Sequence, residues 1–300
     1  MTTVIALGGN AVLRAGDRGT AAEQRVRIRE TCAALAPLLE GDVVLTHGNG
    51  PQVGNELLRQ ERAAPEVPPL PLYLAVAQTQ AEIGALIATE LAATGRQAAC
   101  LLTHVVVAED DPAFENPSKP IGLFYERSRA RALEQERGWT MVEDAGRGWR
   151  RAVPSPAPLE VVELDLVRAL LATGAVAIAC GGGGIPVVRR GERLEGIDAV
   201  VDKDRASALV AVALGAERLV ILTDVPALLR GFGTAEEEPI PALSTAEAEE
   251  LLPELPPGSM GPKLEASIAF ARSTGGEVLI TSAESLADAL ARRAGTRITS

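Results

Sequence analysis

Lysine is nearly absent from this chain of 300 residues. Of 29 basic residues only three are lysine, Lys119, Lys203 and Lys263, and the rest are arginine. Aromatic residues make up 3%, so a core must be built from Ala, Val, Leu and Ile, which the 47% hydrophobic content supplies. Cysteine is scarce, odd in number and widely spaced (Cys32, Cys100, Cys180), which supports neither a disulfide framework nor a zinc site. No apolar run approaches the ~18 residues of a membrane span. The N-terminus runs without a basic segment into glycines and does not read as a secretory signal, so a reducing, cytoplasmic setting is expected. The formal charge of −11 argues against nucleic acid and anionic membranes as partners. Gly-Lys pairs are missing, which excludes a P-loop, and the HRD and DFG signatures of protein kinases are missing as well.

What is present alternates between short apolar runs and helical stretches. Strands are expected at 2–7, 42–46, 97–103, 175–180, 217–223 and 277–280, with a hairpin around Arg190-Gly191. Helices are expected at 21–39, from Pro51 onward, and at 72–93, 159–172, 202–214 and 260–273. Such alternation implies an α/β fold with a mostly parallel sheet covered on both faces, whose ligands gather at the carboxyl ends of the strands. Five of the eight aromatics, Phe114, Phe124, Tyr125, Trp139 and Trp149, fall between 109 and 158, a stretch of different texture. It reads as a small subdomain inserted between strands.

The scarcity of lysine makes its three positions informative. A chain biased toward arginine keeps lysine where a compact, mobile point charge is needed in place of a planar fork. Lys119 sits in a stiff Asn-Pro-Ser-Lys-Pro loop. Lys203 lies between Asp202 and Asp204 at a helix start, and Lys263 follows Gly261-Pro262 at another. Helix N-termini favour anions, so these are candidate phosphate sites. Gly8-Gly9-Asn10 after the first strand, and Gly48-Asn49-Gly50 before a helix-opening Pro51, can turn backbone N–H groups toward an anion. The second loop comes near GxGxxG, but no strand ending in an acidic residue follows about 20 residues on, which argues against a dinucleotide site. Gly181–Gly184 admits close approach of either a second backbone or a ligand. His47, His104 and Cys180 read as structural. Arg147, Arg150 and Arg151 either face an anion or pair with Glu143 and Asp144.

Taken together, ALGGNA (6–11), THGNGPQVG (46–54), NPSKPIG (116–122), GGGGIPV (181–187), DAVVDKDRAS (198–207), LVILTDV (219–225) and MGPKLEA (260–266) resemble the carbamate kinases, a branch of the amino-acid kinase family. The resemblance covers nearly the whole chain. It implies a three-layer α/β/α sandwich forming one domain, with an acceptor lobe at about 1–172, a nucleotide lobe at about 173–300 and an inserted subdomain at 109–158. It implies phosphoryl transfer between carbamoyl phosphate with ADP and carbamate with ATP, Mg²⁺ accompanying the nucleotide, no metal ligands from protein side chains, and a homodimer. By resemblance Lys119, Lys203 and Lys263 act on the phosphoryl group and Asp204 orients them. Gly8, Gly9, Asn10, Gly48, Asn49 and Gly50 hold the acceptor and the transferred group, and Thr223, Asp224 and Met260 border the nucleotide. Ala85 and Trp149 stand where the family usually has tyrosine, and Ser118 where it has threonine. Two rivals remain: a kinase of the same fold acting on another small acceptor, and a non-catalytic sensor of the same ligands.

Overall fold

A computed structural model describes residues 1–14, 16–64, 66–144, 148–234, 236–255 and 260–300; the side chain of Asn10 lies outside that description. The first half of the chain forms β1 (Thr2–Leu7), α1 (Ala21–Ala34), β2 (Asp42–His47), α2 (Gly50–Ala63), α3 (Leu72–Ala93), β3 (Ala98–Cys100) and β4 (His104–Val107). The middle holds β5 (Lys119–Tyr125), α4 (Arg127–Arg137), β6 (Thr140–Glu143), β7 (Trp149–Val153), β8 (Pro158–Val161) and α5 (Leu164–Leu171). Next come β9 (Val176–Ile178), β10 (Ile185–Arg190), β11 (Arg193–Gly196), α6 (Lys203–Leu214) and β12 (Arg218–Leu222). The chain closes with β13 (Leu228–Arg230), β14 (Glu238–Ile240), β15 (Ala242–Ser244), α7 (Thr245–Leu251), α8 (Gly261–Thr274), β16 (Glu277–Thr281), α9 (Leu286–Leu290) and β17 (Thr296–Thr299).

Eight strands form the central sheet in the order β15-β17-β16-β12-β1-β2-β9-β3. Its pairs run parallel except β16 with β17. The alternation of side chains along a strand explains the layering. Val4 and Ala6 of β1 point into a core with Leu219, Ile221, Val210, Leu264 and Phe270, beneath α6 and α8. Ile5 and Leu7 point the other way, to Ile28, Ile83, Ile87 and Leu91 of α1 and α3. Both faces being covered, these strands are apolar throughout, as a parallel sheet requires. The architecture is α/β with a large, mostly parallel central sheet.

Besides the antiparallel pair β13-β14, two smaller sheets accompany it. One has the order β11-β10-β4-β8, and the other, β5-β7-β6, is antiparallel and packs on α4. The helix expected over 159–172 begins only at Leu164, because 158–161 pairs with β4 as the edge strand β8. Pro158 lacks an N–H and fits an edge better than a helix interior. The helix expected over 21–39 stops at Ala34, where Pro37 enters a separate short turn, Ala36–Leu38. The expected strand 97–103 is shorter, since Gln80 and Leu101 take up the polar groups of Thr103. β4 was not expected at all.

Candidate active site

The candidate site forms where α6 and α8 begin. Asp202 caps α6: its Oδ1 accepts the N–H groups of Asp204 at 2.9 Å and Arg205 at 3.3 Å. Lys203 is thereby the first helical residue, and Lys263 sits in the first turn of α8 behind Pro262. A cation is unfavourable at the positive end of a helix, and both lysines stand at such ends. Asp204 offsets this. Its Oδ1 accepts from Lys203 Nζ at 2.5 Å and its Oδ2 from Lys263 Nζ at 3.2 Å. From the opposite side Lys119, the first residue of β5, donates to Oδ2 of Asp202 at 2.5 Å. Three lysines remote in sequence thus meet two carboxylates two residues apart.

The electrostatics follow from burial and pairing. Burial works against both carboxylates. For Asp202 it is outweighed by Lys119, with Lys203 and Lys263 adding, and the group is held well below the usual carboxylate range. Lys203 and Lys263 hold Asp204 below its ordinary value in the same way. Lys203 is itself pushed down, first by burial, which Asp204 opposes. Burial also works against Lys263, but Asp204 and Asp202 hold its proton more firmly than usual. Lys203 and Lys263 expose 12% and 13% of their side chains and Lys119 exposes 32%, so the first pair is set in the protein and the third stands at its margin.

The glycine loops lie at the neighbouring strand ends. Gly48 continues β2, donates its N–H to Leu7 O at 3.1 Å, and lies under Lys203, whose Cδ would come within 3.3 Å of a methyl group there. Gly8 lies against β12, where a Cβ would meet Leu222 O at 2.5 Å, so only glycine fits. Gly9 is exposed and opens the short turn Gly9–Ala11 that contains Asn10. Asn49 turns inward, its amide nitrogen donating to Thr79 Oγ1 at 2.9 Å, so its backbone and Gly50 are what face the helix start. Thr223 is half-buried and Asp224 exposed, and with Val225, Leu229, Phe232, Leu255 and Met260 they line an apolar cleft of about 150 Å³. A larger cavity of about 440 Å³ lies on the α1 side of Thr223 and Asp224. None of the three lysines lines it, and its Arg14 is bonded to Glu284 at 2.6 Å.

Other candidates resolve into packing. Gly181–Gly184 are buried, and Cβ atoms at 181, 182 and 183 would strike His47, Asn49 and the carbonyl of Val201; close backbone approach accounts for the run. His47 is fully buried, its Nδ1 beside Gly48 O at 3.0 Å, and burial pushes its pKa down to about 4. His104 pairs with Glu163 at 2.7 Å. Arg150 pairs with Asp144 at 2.8 Å, and Arg147 lies outside the described residues. In the sequence Asp202 stands only as a flank of Lys203; its spacing from Asp204 across a helix start is the signal that marks it. Among the described residues no group of three His, Cys, Asp or Glu side chains is arranged to hold a metal, and no helix is long and apolar enough to cross a membrane.

A sequence model described as the amino acid kinase family matches residues 1–282. The chain is 43% identical to a carbamate kinase of Halobacterium salinarum, covering 99% of this chain and 97% of that one. It is 40% identical to a carbamate kinase of Trichomonas vaginalis, covering 99% of each. Among solved structures it is similar to the carbamate kinase from Giardia lamblia bound to AMP-PNP, with a TM-score of 0.89 at 38% identity, covering 99% of this chain and 98% of that one.

Proposed function

The chain belongs to the amino acid kinase family, and from that premise we propose that it carries out the carbamate kinase reaction, reversible phosphoryl transfer between carbamoyl phosphate with ADP and carbamate with ATP. The observation that carries the reading of the site is the convergence of Lys119, Lys203 and Lys263 on Asp202 and Asp204.

In the direction of ATP formation, a β-phosphate oxygen of ADP attacks the phosphorus of carbamoyl phosphate in line. The new P–O bond forms as the bond to the carbamoyl oxygen breaks, and carbamate leaves with that electron pair. The transfer asks little covalent chemistry of a protein; positioning and charge neutralisation supply the catalysis. Lys203 and Lys263 flank the moving group and neutralise its equatorial oxygens, and Asp204 holds the two ammonium groups at a fixed spacing. Lys119 binds the acceptor side, giving up Asp202 for the incoming anion. Gly8, Gly9 and Asn10, with Gly48, Asn49 and Gly50, offer N–H groups around the transferred phosphoryl.

The nucleotide enters along Thr223 and Asp224, with its base in the apolar cleft beside Met260. This assigns residues 1–172 to the acceptor, 173–300 to the nucleotide and 109–158 to the inserted subdomain that carries Lys119. Asp202 and Asp204 are already engaged by lysines, so Mg²⁺ would be held by nucleotide phosphates, whose charge it offsets. The reading includes a homodimer and a cytoplasmic setting.

A coupled assay for ATP formation from carbamoyl phosphate and ADP tests the reaction, with acetylglutamate, aspartate and UMP offered as acceptors of ATP in parallel. Activity with carbamoyl phosphate alone is expected. Absence of ATP formation, or faster use of another acceptor, overturns the reading.

A further inference from the structure

Helix α2 and strand β5 meet backbone to backbone. Gly54, buried on α2, faces Gly122 of β5 so closely that a methyl group at 54 would lie 2.0 Å from the Cα of Gly122 and 2.4 Å from its nitrogen. Those are main-chain atoms and cannot swing aside, so the strand itself would have to move by more than an ångström to restore ordinary contact at about 3.5–4 Å. Glycine inside a helix costs about 1 kcal/mol against alanine, which the close approach accounts for here. Gly122 adopts φ +77, inside the break in β5–β7 pairing between Ile121 and Tyr125. Arg150 Nε donates to its carbonyl at 3.1 Å, and on the inner side Ile121 packs with Val53, Val76 and Val200. From this contact β5 runs back three residues, roughly 10 Å, to Lys119. Between the contact and Lys119 the strand stays paired to β7 (Ile121 with Arg151, Pro120 with Ala152, Lys119 with Val153), so a shift imposed at Gly122 reaches the ammonium group through a paired strand.

We propose that Gly54 and Gly122 form the seat that sets where Lys119 comes to rest, and that both are positioning residues acting through it. Their effect on turnover rests on the acceptor role given to Lys119 above; their effect on the place of Lys119 does not.

Because the chain has three lysines, amine labelling read by mass spectrometry reports on each one separately. In Gly54→Ala, Lys119 is expected to react with acetic anhydride several-fold faster than in the parent, while Lys203 and Lys263 keep their rates. ADP affinity by calorimetry should stay within about twofold, since the proposed nucleotide cleft shares no lining residue with the pocket around the seat. The kcat/KM for carbamoyl phosphate should fall about tenfold, no further than in Lys119→Ala, since the seat acts only through that side chain. In a Lys119→Ala background the same change should add less than about threefold, because the two act as one unit. Should Gly54→Ala not fold, Gly122→Ala replaces it: a Cβ there lies 3.6 Å from the Cα of Gly54, so it strains the left-handed backbone without a clash. Unchanged labelling of Lys119 overturns the seat whatever the activity, as does a loss that multiplies with Lys119→Ala. Loss of ADP binding in both glycine variants also overturns it, for the contact would then serve the whole domain. A parent chain that labels as expected but makes no ATP strikes the functional reading and leaves the seat standing.

Discussion

Lys203 and Lys263 stand on helix ends sunk in a broad aliphatic core, whereas Lys119 stands on a small sheet whose own core is thin. Beneath the first pair lie Leu219, Ile221, Leu264, Phe270 and many neighbours. Among the described residues, the core between the β5-β7-β6 sheet and α4 consists of Ala130, Leu133 and Met141, with Tyr125, Trp139 and Trp149 packed around them at partial exposure. Arginines lie over the rings, Arg151 at 4.6 Å from Trp139 and Arg150 at 5.0 Å from Phe124. Large rings with cations on their faces give contact area where aliphatic depth is lacking. The difference teaches that two charges are built into the scaffold and one is delivered by a unit that relies on docking against α2.

That contrast can be broken or sharpened by substitution. The largest effect is expected at the fixed pair: Lys203→Ala and Lys263→Ala should each lower kcat by about 10²–10³-fold, or ~3–4 kcal/mol, with unchanged secondary structure by circular dichroism. Near-parental turnover in either variant would remove that lysine from the phosphoryl path. Next, Leu133→Ala should weaken the small subdomain by about 2–5 kcal/mol. Hydrogen exchange should then speed up across 119–153 while ADP affinity holds; a matching loss of ADP affinity would show that the two regions unfold together. Lys119→Ala should raise KM for carbamoyl phosphate about tenfold or more, as expected for losing one charged hydrogen bond, and change kcat less. A fall in kcat with KM intact would place Lys119 with the fixed pair.

The smallest effect concerns His47. Its pKa is about 4 in the fold against 6.5 in an open chain. The unfolded chain therefore binds the extra proton between those values, so the contribution of this group is complete above pH 6.5 and declines as pH falls toward 4. His47→Gln should flatten the urea midpoint over that window, and an unaltered slope would mean that His47 is not its source.

Much of this was legible in the sequence. The bounds of α3 follow from Pro71 and the end of its apolar periodicity, and the buried strands from their unbroken aliphatic runs. The lysines stood out by scarcity together with their places at two helix starts and in a stiff loop. Asp202 did not, because its link to Lys119 joins a strand and a helix that only tertiary structure brings together. Of the apolar cleft, Thr223, Asp224 and Met260 are named from the sequence, whereas Phe232 and Leu255 are not, because they come from separate segments that only the fold brings together. β8 was hidden by short length, since a few residues at a sheet edge carry no period that outweighs an adjoining helix. The inward turn of Asn49 was hidden too, as its partner Thr79 lies on another helix.

Asp202 serves two clients with one carboxylate, its Oδ1 closing the first turn of α6 and its Oδ2 receiving Lys119. Lys203 and Asp204 belong to that turn. Arrival of Lys119 and order of the helix end must therefore favour one another, and by thermodynamic reciprocity neither is cause alone.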